Sequence, residues 1–352
     1  MTASKIEWTE RSDWNPLRGC SRVSEGCGSA RGGGCYAEKI AARFSDPGQA
    51  FHGFATRTGG GRWTGRVEVQ WDRLLLPLSW RRPALLFGSS TSDLFHEKLP
   101  LHEIAQVFAV SVAAYHLRGH RTQWLTKRAD RMRELLHSEE FWDIVNAHAG
   151  MLVMERVDPL NRRSDDARAT LDDYDPQTPP PGIWLGVSVE DQRAADERIP
   201  HLLATPAAIR FLSCEPLLGP VDLERSWHGE SALDSECWGE CNWCRNGADF
   251  PPLWNCQNGR QSDAEREKMR SGIDWVIWGG ESGPGSREFA MEWGAAIVDQ
   301  CSTAGVPVFG KQLGARPTFE GRRWRTDDRK SGDPAQWPEP LRVREMPGAQ
   351  HV

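Results

Sequence analysis

The chain has 352 residues, 39% hydrophobic and 26% charged, with a formal net charge of −6. That composition suits a folded globular protein of one large domain or two ordinary ones, and the charge gives no overall basic footprint for nucleic acid. No run of about 18 apolar residues is present, and the polar N-terminus "MTASKIEWTERSDW" lacks the apolar core of a secretion signal, so a membrane span is not expected and a cytoplasmic location is.

Residues 5–19, "KIEWTERSDWNPLRG", read as a first, less regular strand. Cys20, Cys27 and Cys35 follow on a glycine-rich loop, and "YAEKIAARF" from Tyr36 reads as the opening of a helix. From residue 83 a rhythm sets in. Residues 83–95, 122–131, 182–191, 208–219, 274–283 and 306–314 each begin with a short apolar run and pass to Gly, Ser, Thr, Lys or Glu. Helix-like segments lie between most of them, at 101–117, 131–145, 191–205 and 290–305. Buried strand, polar tip and helix in alternation predict an α/β fold with a parallel sheet. Seven candidate strands suit a partial or complete parallel β/α (TIM-like) barrel, with an open doubly wound sheet as the alternative.

Two segments interrupt the rhythm. Residues 155–182 are charged and proline-rich and read as a long surface loop, and residues 225–271 read as a small cysteine-rich insert. The expected organisation is therefore 1–224 as the N-terminal part of the barrel, 225–271 as a metal-binding insert, and 272–352 as the C-terminal part with a tail. Seventeen tryptophans stand out; Trp124, Trp184 and Trp275 lie inside expected strands and should be core. The basic runs "TKRADRMR" and "GRRWRTDDRK" read as solvated faces that could meet a polyanion.

In either α/β architecture, ligands bind at the carboxyl ends of the strands. Those ends carry Ser89, Ser90, Asp93, Lys127, Arg128, Ser188, Glu190, Glu215, Gly279, Gly280, Glu281 and Lys311. Lysine and arginine there suit a phosphate or carboxylate group.

Nine cysteines in a reducing compartment point to metal or redox chemistry rather than disulfides. Cys214 and Cys301 stand alone and read as ordinary buried thiols. Cys20, Cys27 and Cys35 are three rather than four, which leaves one metal position free for a small molecule. This loop, after a first strand and ending in Cys35–Tyr36, resembles that of the radical S-adenosylmethionine enzymes, although their usual spacing is C-x3-C-x2-C and here it is C-x6-C-x7-C. The resemblance implies a [4Fe–4S] cluster on the three cysteines, chelation of S-adenosylmethionine by its open iron, and reductive formation of a 5′-deoxyadenosyl radical. It implies cofactor contacts from Ser89, Ser90 and Asp93 in "GSSTSD", Ser188 and Glu190 in "GVSVE", and Gly279, Gly280 and Glu281 in "DWVIWGGESG". Lys127, Glu215 and Lys311 would face the substrate. An electron donor such as flavodoxin or ferredoxin is implied as partner.

A second resemblance spans nearly the whole chain. "IEWTERSDWNPLRGC", "CYAEKIAARF", "GSSTSDLFHEKLP", "WLTKRADRM", "RFLSCEPLLGPV", "DWVIWGGESGPGSRE" and "FGKQLG" are similar to a phage-associated family called domain of unknown function 5131, itself like a divergent radical S-adenosylmethionine barrel. Phage-like relatives make a nucleotide or nucleic-acid base the first expectation for the substrate.

The second cluster, Cys237, Cys241, Cys244 and Cys256, is a full tetrathiolate set. A zinc knuckle is the simplest reading and an auxiliary iron–sulfur cluster the rival. Its first three cysteines carry the C-x3-C-x2-C spacing, but too few strands follow for a barrel to start there. The alternative function is a zinc-bearing nucleic-acid-binding protein with both clusters structural. A zinc hydrolase on the barrel is a third option, disfavoured because no histidine set accompanies the cysteines.

Overall fold

A computed structural model describes residues 4, 6–28, 33–156, 173–224, 231–233 and 272–348. Six strands form one parallel sheet: β1 (Leu85–Gly88), β2 (Arg121–Thr126), β3 (Ile183–Ser188), β4 (Ile209–Cys214), β5 (Trp275–Gly279) and β6 (Val308–Gln312). Their spatial order follows their sequence order, with every neighbouring pair parallel. A doubly wound sheet would reverse direction part-way. This one does not, and it curls into half a barrel.

Each of the six expected strands is realised, with β2 starting one residue early at Arg121. The expected first strand is realised differently. Its backbone runs beside β1, bonded through Glu10 and Arg11 to Leu85 and through Phe87 back to Arg11, yet it forms isolated parallel bridges, Arg11 to Leu86 and Gly19 to Ser92, rather than a strand of the sheet. Leu17–Arg18 then turns away to pair antiparallel with Glu68–Val69.

The helices are α1 (Tyr36–Arg43), α2 (Leu101–Arg118), α3 (Ala129–Leu136), α4 (Glu139–Arg156), α5 (Gln192–Leu203) and α6 (Met291–Ala304). The single helix expected over 131–145 is thus two, broken where Ser138 Oγ accepts the N–H of Phe141 and starts a new turn. The end of the expected surface loop is anchored rather than loose. Buried Tyr174 bonds His116 Nε2 through its hydroxyl and exchanges backbone bonds with the Asn146 amide. The four cysteines Cys237, Cys241, Cys244 and Cys256 lie outside the described residues. Among the described residues no helix is long and apolar enough to cross a membrane.

Alternate strand residues point to opposite faces. The outer set, including Leu86, Trp124, Leu185, Leu212, Val276 and Trp278, packs with the helices in the main core. The inner set forms a separate core of Trp8, Leu85, Phe87, Trp184, Ile209, Phe211, Trp275, Ile277 and Phe309. Edge-to-face contacts knit it together: the ring centroids of Trp8 and Phe87 stand 4.7 Å apart, and those of Trp184 and Trp275 6.2 Å apart. Trp124, Trp184 and Trp275 are core, as expected, and much of the tryptophan content is accounted for by such fully buried rings. Truncating Trp275 to alanine should cost about 3–5 kcal/mol. It empties the centre of the inner core and leaves the Glu345 carbonyl without its indole donor. A lowered urea midpoint would show this, and an unchanged one would mean that the inner core carries no stability.

Candidate functional site

One step beyond the aromatic inner core, the same inward-facing positions become polar. Leu125 is followed at i+2 by Lys127, Ser188 by Glu190, Ser213 by Glu215, and Phe309 by Lys311. The carboxyl ends of β2, β3, β4 and β6 therefore bring two cations and two carboxylates to one mouth over an apolar floor. Glu190 is 1% exposed, and both its oxygens are occupied. Lys127 Nζ and Ser24 Oγ each reach Oε1 at 2.5 Å, and Arg198 Nη1 donates to Oε2 at 2.7 Å. Burial pushes this carboxyl up, but the Lys127 and Arg198 charges outweigh it and hold it at about 2. Across the mouth, Lys311 Nζ pairs with Glu215 Oε1 at 3.0 Å, and Trp8 Nε1 donates to Oε2 at 3.3 Å.

The cysteine loop closes over these strand ends, and its glycines are there for contact. A Cβ on Gly26 would stand 2.1 Å from Glu190 Oε1, and one on Gly33 2.6 Å from Glu281 Oε2. Glu281 accepts the N–H of Gly34 at 2.8 Å and is braced by Arg287, whose Nη1 also donates to the Glu25 carbonyl. On the far side Arg22 bonds the Gly28 carbonyl and the buried Glu38 of α1.

Cys20 is steadied by its neighbour. Ser21 Oγ meets Arg128 Nη2 at 2.7 Å and His96 Nε2 at 2.9 Å, while Arg128 Nη1 donates to Asp93 at 2.9 Å. Asp93 is filled further by Thr126 and by the N–H groups of Phe95 and Lys127. His96 Nδ1 accepts the N–H of Lys98, so the ring proton sits on Nε2 and points at Ser21. Burial, with Arg128 beside it, pushes this imidazole down to about 4. A general base would need a lone pair toward the hydroxyl, so Ser21 and His96 are not an activated nucleophile.

Burial pushes Cys20 up to about 12; Asp93 adds to the rise, Arg128 opposes it, and Cys35 and Cys27 both add to it. Burial also raises Cys35, with Cys27 again contributing against the amides of Glu38 and Ala37. Among the described residues no three His, Cys, Asp or Glu side chains converge on a single-ion site. Tyr36, next to Cys35, keeps half its surface exposed and donates its hydroxyl to the Ser90 carbonyl. Cys214 and Cys301 are fully buried away from this loop, as expected of ordinary core thiols.

The family described as "Protein of unknown function (DUF5131)" matches residues 3–339. The chain belongs to this family. No curated protein and no solved structure matches it.

In this member of DUF5131, the other sequence candidates fall into two groups. Asp93, Arg128, Glu190 and Glu281 are committed to holding the cysteine loop. Ser90 bonds Asn15 and the Ser12 carbonyl. Gly280 lets β5 approach the Leu313 carbonyl, which a Cβ would meet at 2.2 Å, and Gly279 leaves room for Glu215. Ser188 is buried at the end of β3, with its carbonyl taken by Arg198. Ser89 differs from all of these. It sits at φ 58°, in the left-handed region, and its buried hydroxyl has no partner among the described residues. Strained residues of this kind gather at ligand sites. Sequence reasoning missed Ser24, Arg198, Arg287, His96 and the Arg22–Glu38 latch. Arg22 and Ser24 lie inside the cysteine loop, and Glu38, His96 and Arg287 inside quoted motifs, where a signal for them was within reach; only Arg198 falls outside every motif.

Proposed function

We propose that this DUF5131 member is a radical S-adenosylmethionine enzyme, with Cys20, Cys27 and Cys35 holding a [4Fe–4S] cluster at the mouth of the half-barrel. The observation that carries this reading is the placement of three thiols on one loop that Ser24 and Gly34 tie to the carboxyl ends of β3 and β5. Three thiolates would leave one iron of a four-iron cluster open to a small molecule, whereas a structural zinc site takes four protein ligands. Such a cluster with S-adenosylmethionine supplies reductive cleavage of the sulfonium and hydrogen abstraction from the substrate.

The chain's own groups supply binding and shelter. Lys127 and Lys311 each use one N–H in an ion pair and remain partly exposed, which leaves donors for a carboxylate or phosphate. Ser89 offers a hydroxyl that has no partner among the described residues. The aromatic floor keeps water from below the reacting groups. A flavodoxin or ferredoxin would deliver the electron.

The test is anaerobic purification and reconstitution with iron and sulfide, metal analysis, and EPR of the reduced protein with and without S-adenosylmethionine. A four-iron signal that shifts on adding S-adenosylmethionine is expected. Zinc alone, with no iron retained by either route, would leave the zinc-bearing nucleic-acid-binding reading in its place.

A further inference from the structure

The basic run at 321–330 is part of a hairpin on the rim of the mouth. Pro317–Phe319 pairs with Arg322–Arg323, and also with Phe289–Ala290. Phe289 follows the loop of Glu281 and Arg287 beyond β5, and Pro317 follows the end of β6. Both connections leave the carboxyl ends of the sheet, so the hairpin stands on the same side as the cysteine loop.

Its charge is concentrated. Residues 315–330 hold six Lys and Arg against three Asp and Glu, in a chain whose net charge is −6. Asp328 is spent on the N–H groups of Lys330 and Gly332, and Lys330 pairs with Glu7. Arg316, Arg322, Arg325 and Arg329 are exposed, and their guanidinium groups have no protein partner among the described residues. Glu320 and Gly321, both at positive φ, form the two-residue turn that places Phe319 directly opposite Arg322. Cross-strand partners share a face. Phe319 is 40% exposed, propped edge-on by Trp324 at 6.3 Å. An open ring beside a free guanidinium, flanked by further arginines, is a platform for stacking a base while neighbouring phosphates are neutralised.

We infer that the 315–330 hairpin binds single-stranded nucleic acid and presents it to the mouth. A duplex hides the base faces that Phe319 would stack on, so a single strand is the nucleic-acid form that uses both the ring and the charge. This names a substrate class for the site proposed above and rests on that proposal only for the chemistry that follows binding. Binding itself needs no cluster, so it is measured on the protein as isolated.

The probe is a fluorescein-labelled oligothymidylate, followed by anisotropy, against a duplex of equal length. With four phosphates neutralised, raising salt about fourfold should weaken single-strand binding by roughly 50-fold. The double variant R322E/R325E should lose at least roughly tenfold, and F319A about tenfold. The control R81E/R82E, exposed ahead of β1 at the opposite end of the sheet, should change nothing. These positions are at the surface, so thermal midpoints should hold across the set. Unchanged affinity in R322E/R325E, an equal loss in R81E/R82E, or a preference for duplex would overturn the inference. None of those results would touch the EPR outcome, so the two proposals fail separately.

Discussion

Glu190→Gln should destabilise the protein by about 3–5 kcal/mol and lower its thermal midpoint by roughly 10 °C. The amide keeps the shape of the side chain but removes the charge that neutralises Lys127 and Arg198. Lys127 is 18% exposed and can reach water; Arg198, at 2%, cannot, so most of the cost is an uncompensated buried guanidinium. Adding Arg198→Met should recover part of the loss, because an apolar replacement removes the orphaned charge. The pH dependence has a defined sign. The native carboxyl is held at about 2 against an ordinary 4.5, so its contribution is complete above 4.5 and disappears as pH falls toward 2. That shift corresponds to ~3 kcal/mol. The wild-type advantage over Glu190→Gln should therefore shrink across that interval in urea titrations. Parallel curves down to pH 2 would show that the ion network contributes no stability.

The same residue shows where sequence reading stops. The βα rhythm was legible because parallel strands covered on both faces read as short apolar runs, and six of them could be placed. The strand-end position of Glu190 was legible too, by its place after "GVSV". Its partners were not: Lys127, Ser24 and Arg198 come from a different strand end, the cysteine loop and the next helix. No local pattern marks Arg198 within α5 as buried. The sequence marks the cysteine loop only as rich in glycine. Gly26 and Gly33 serve as bare surfaces against which two carboxylates pack, a requirement set by residues more than 160 positions away. Likewise the break between α3 and α4 depends on a single hydroxyl at Ser138, too weak a signal against the apolar pattern that runs through it.

Cys20→Ala, Cys27→Ala and Cys35→Ala should each strip the mouth of its iron, from roughly four atoms per chain to near zero after reconstitution. A site that offers only three thiolates has none to spare. Folding should survive each change. The loop is held by Ser24 and Gly34 through Glu190 and Glu281, by Arg22 on Glu38, and by Ser21 on Arg128, none of which uses a sulfur. Thermal midpoints close to wild type, with iron lost, would separate a ligand role from a structural one. On the proposed reading, removing Cys237, Cys241, Cys244 and Cys256 together should leave the mouth iron and its response to S-adenosylmethionine intact. The reverse pattern, iron retained without Cys20, Cys27 and Cys35 and lost without the insert cysteines, would move the cluster to the insert. The three mouth thiols would then be ordinary thiols of a well-packed loop, and the radical reading of the half-barrel would fall with them.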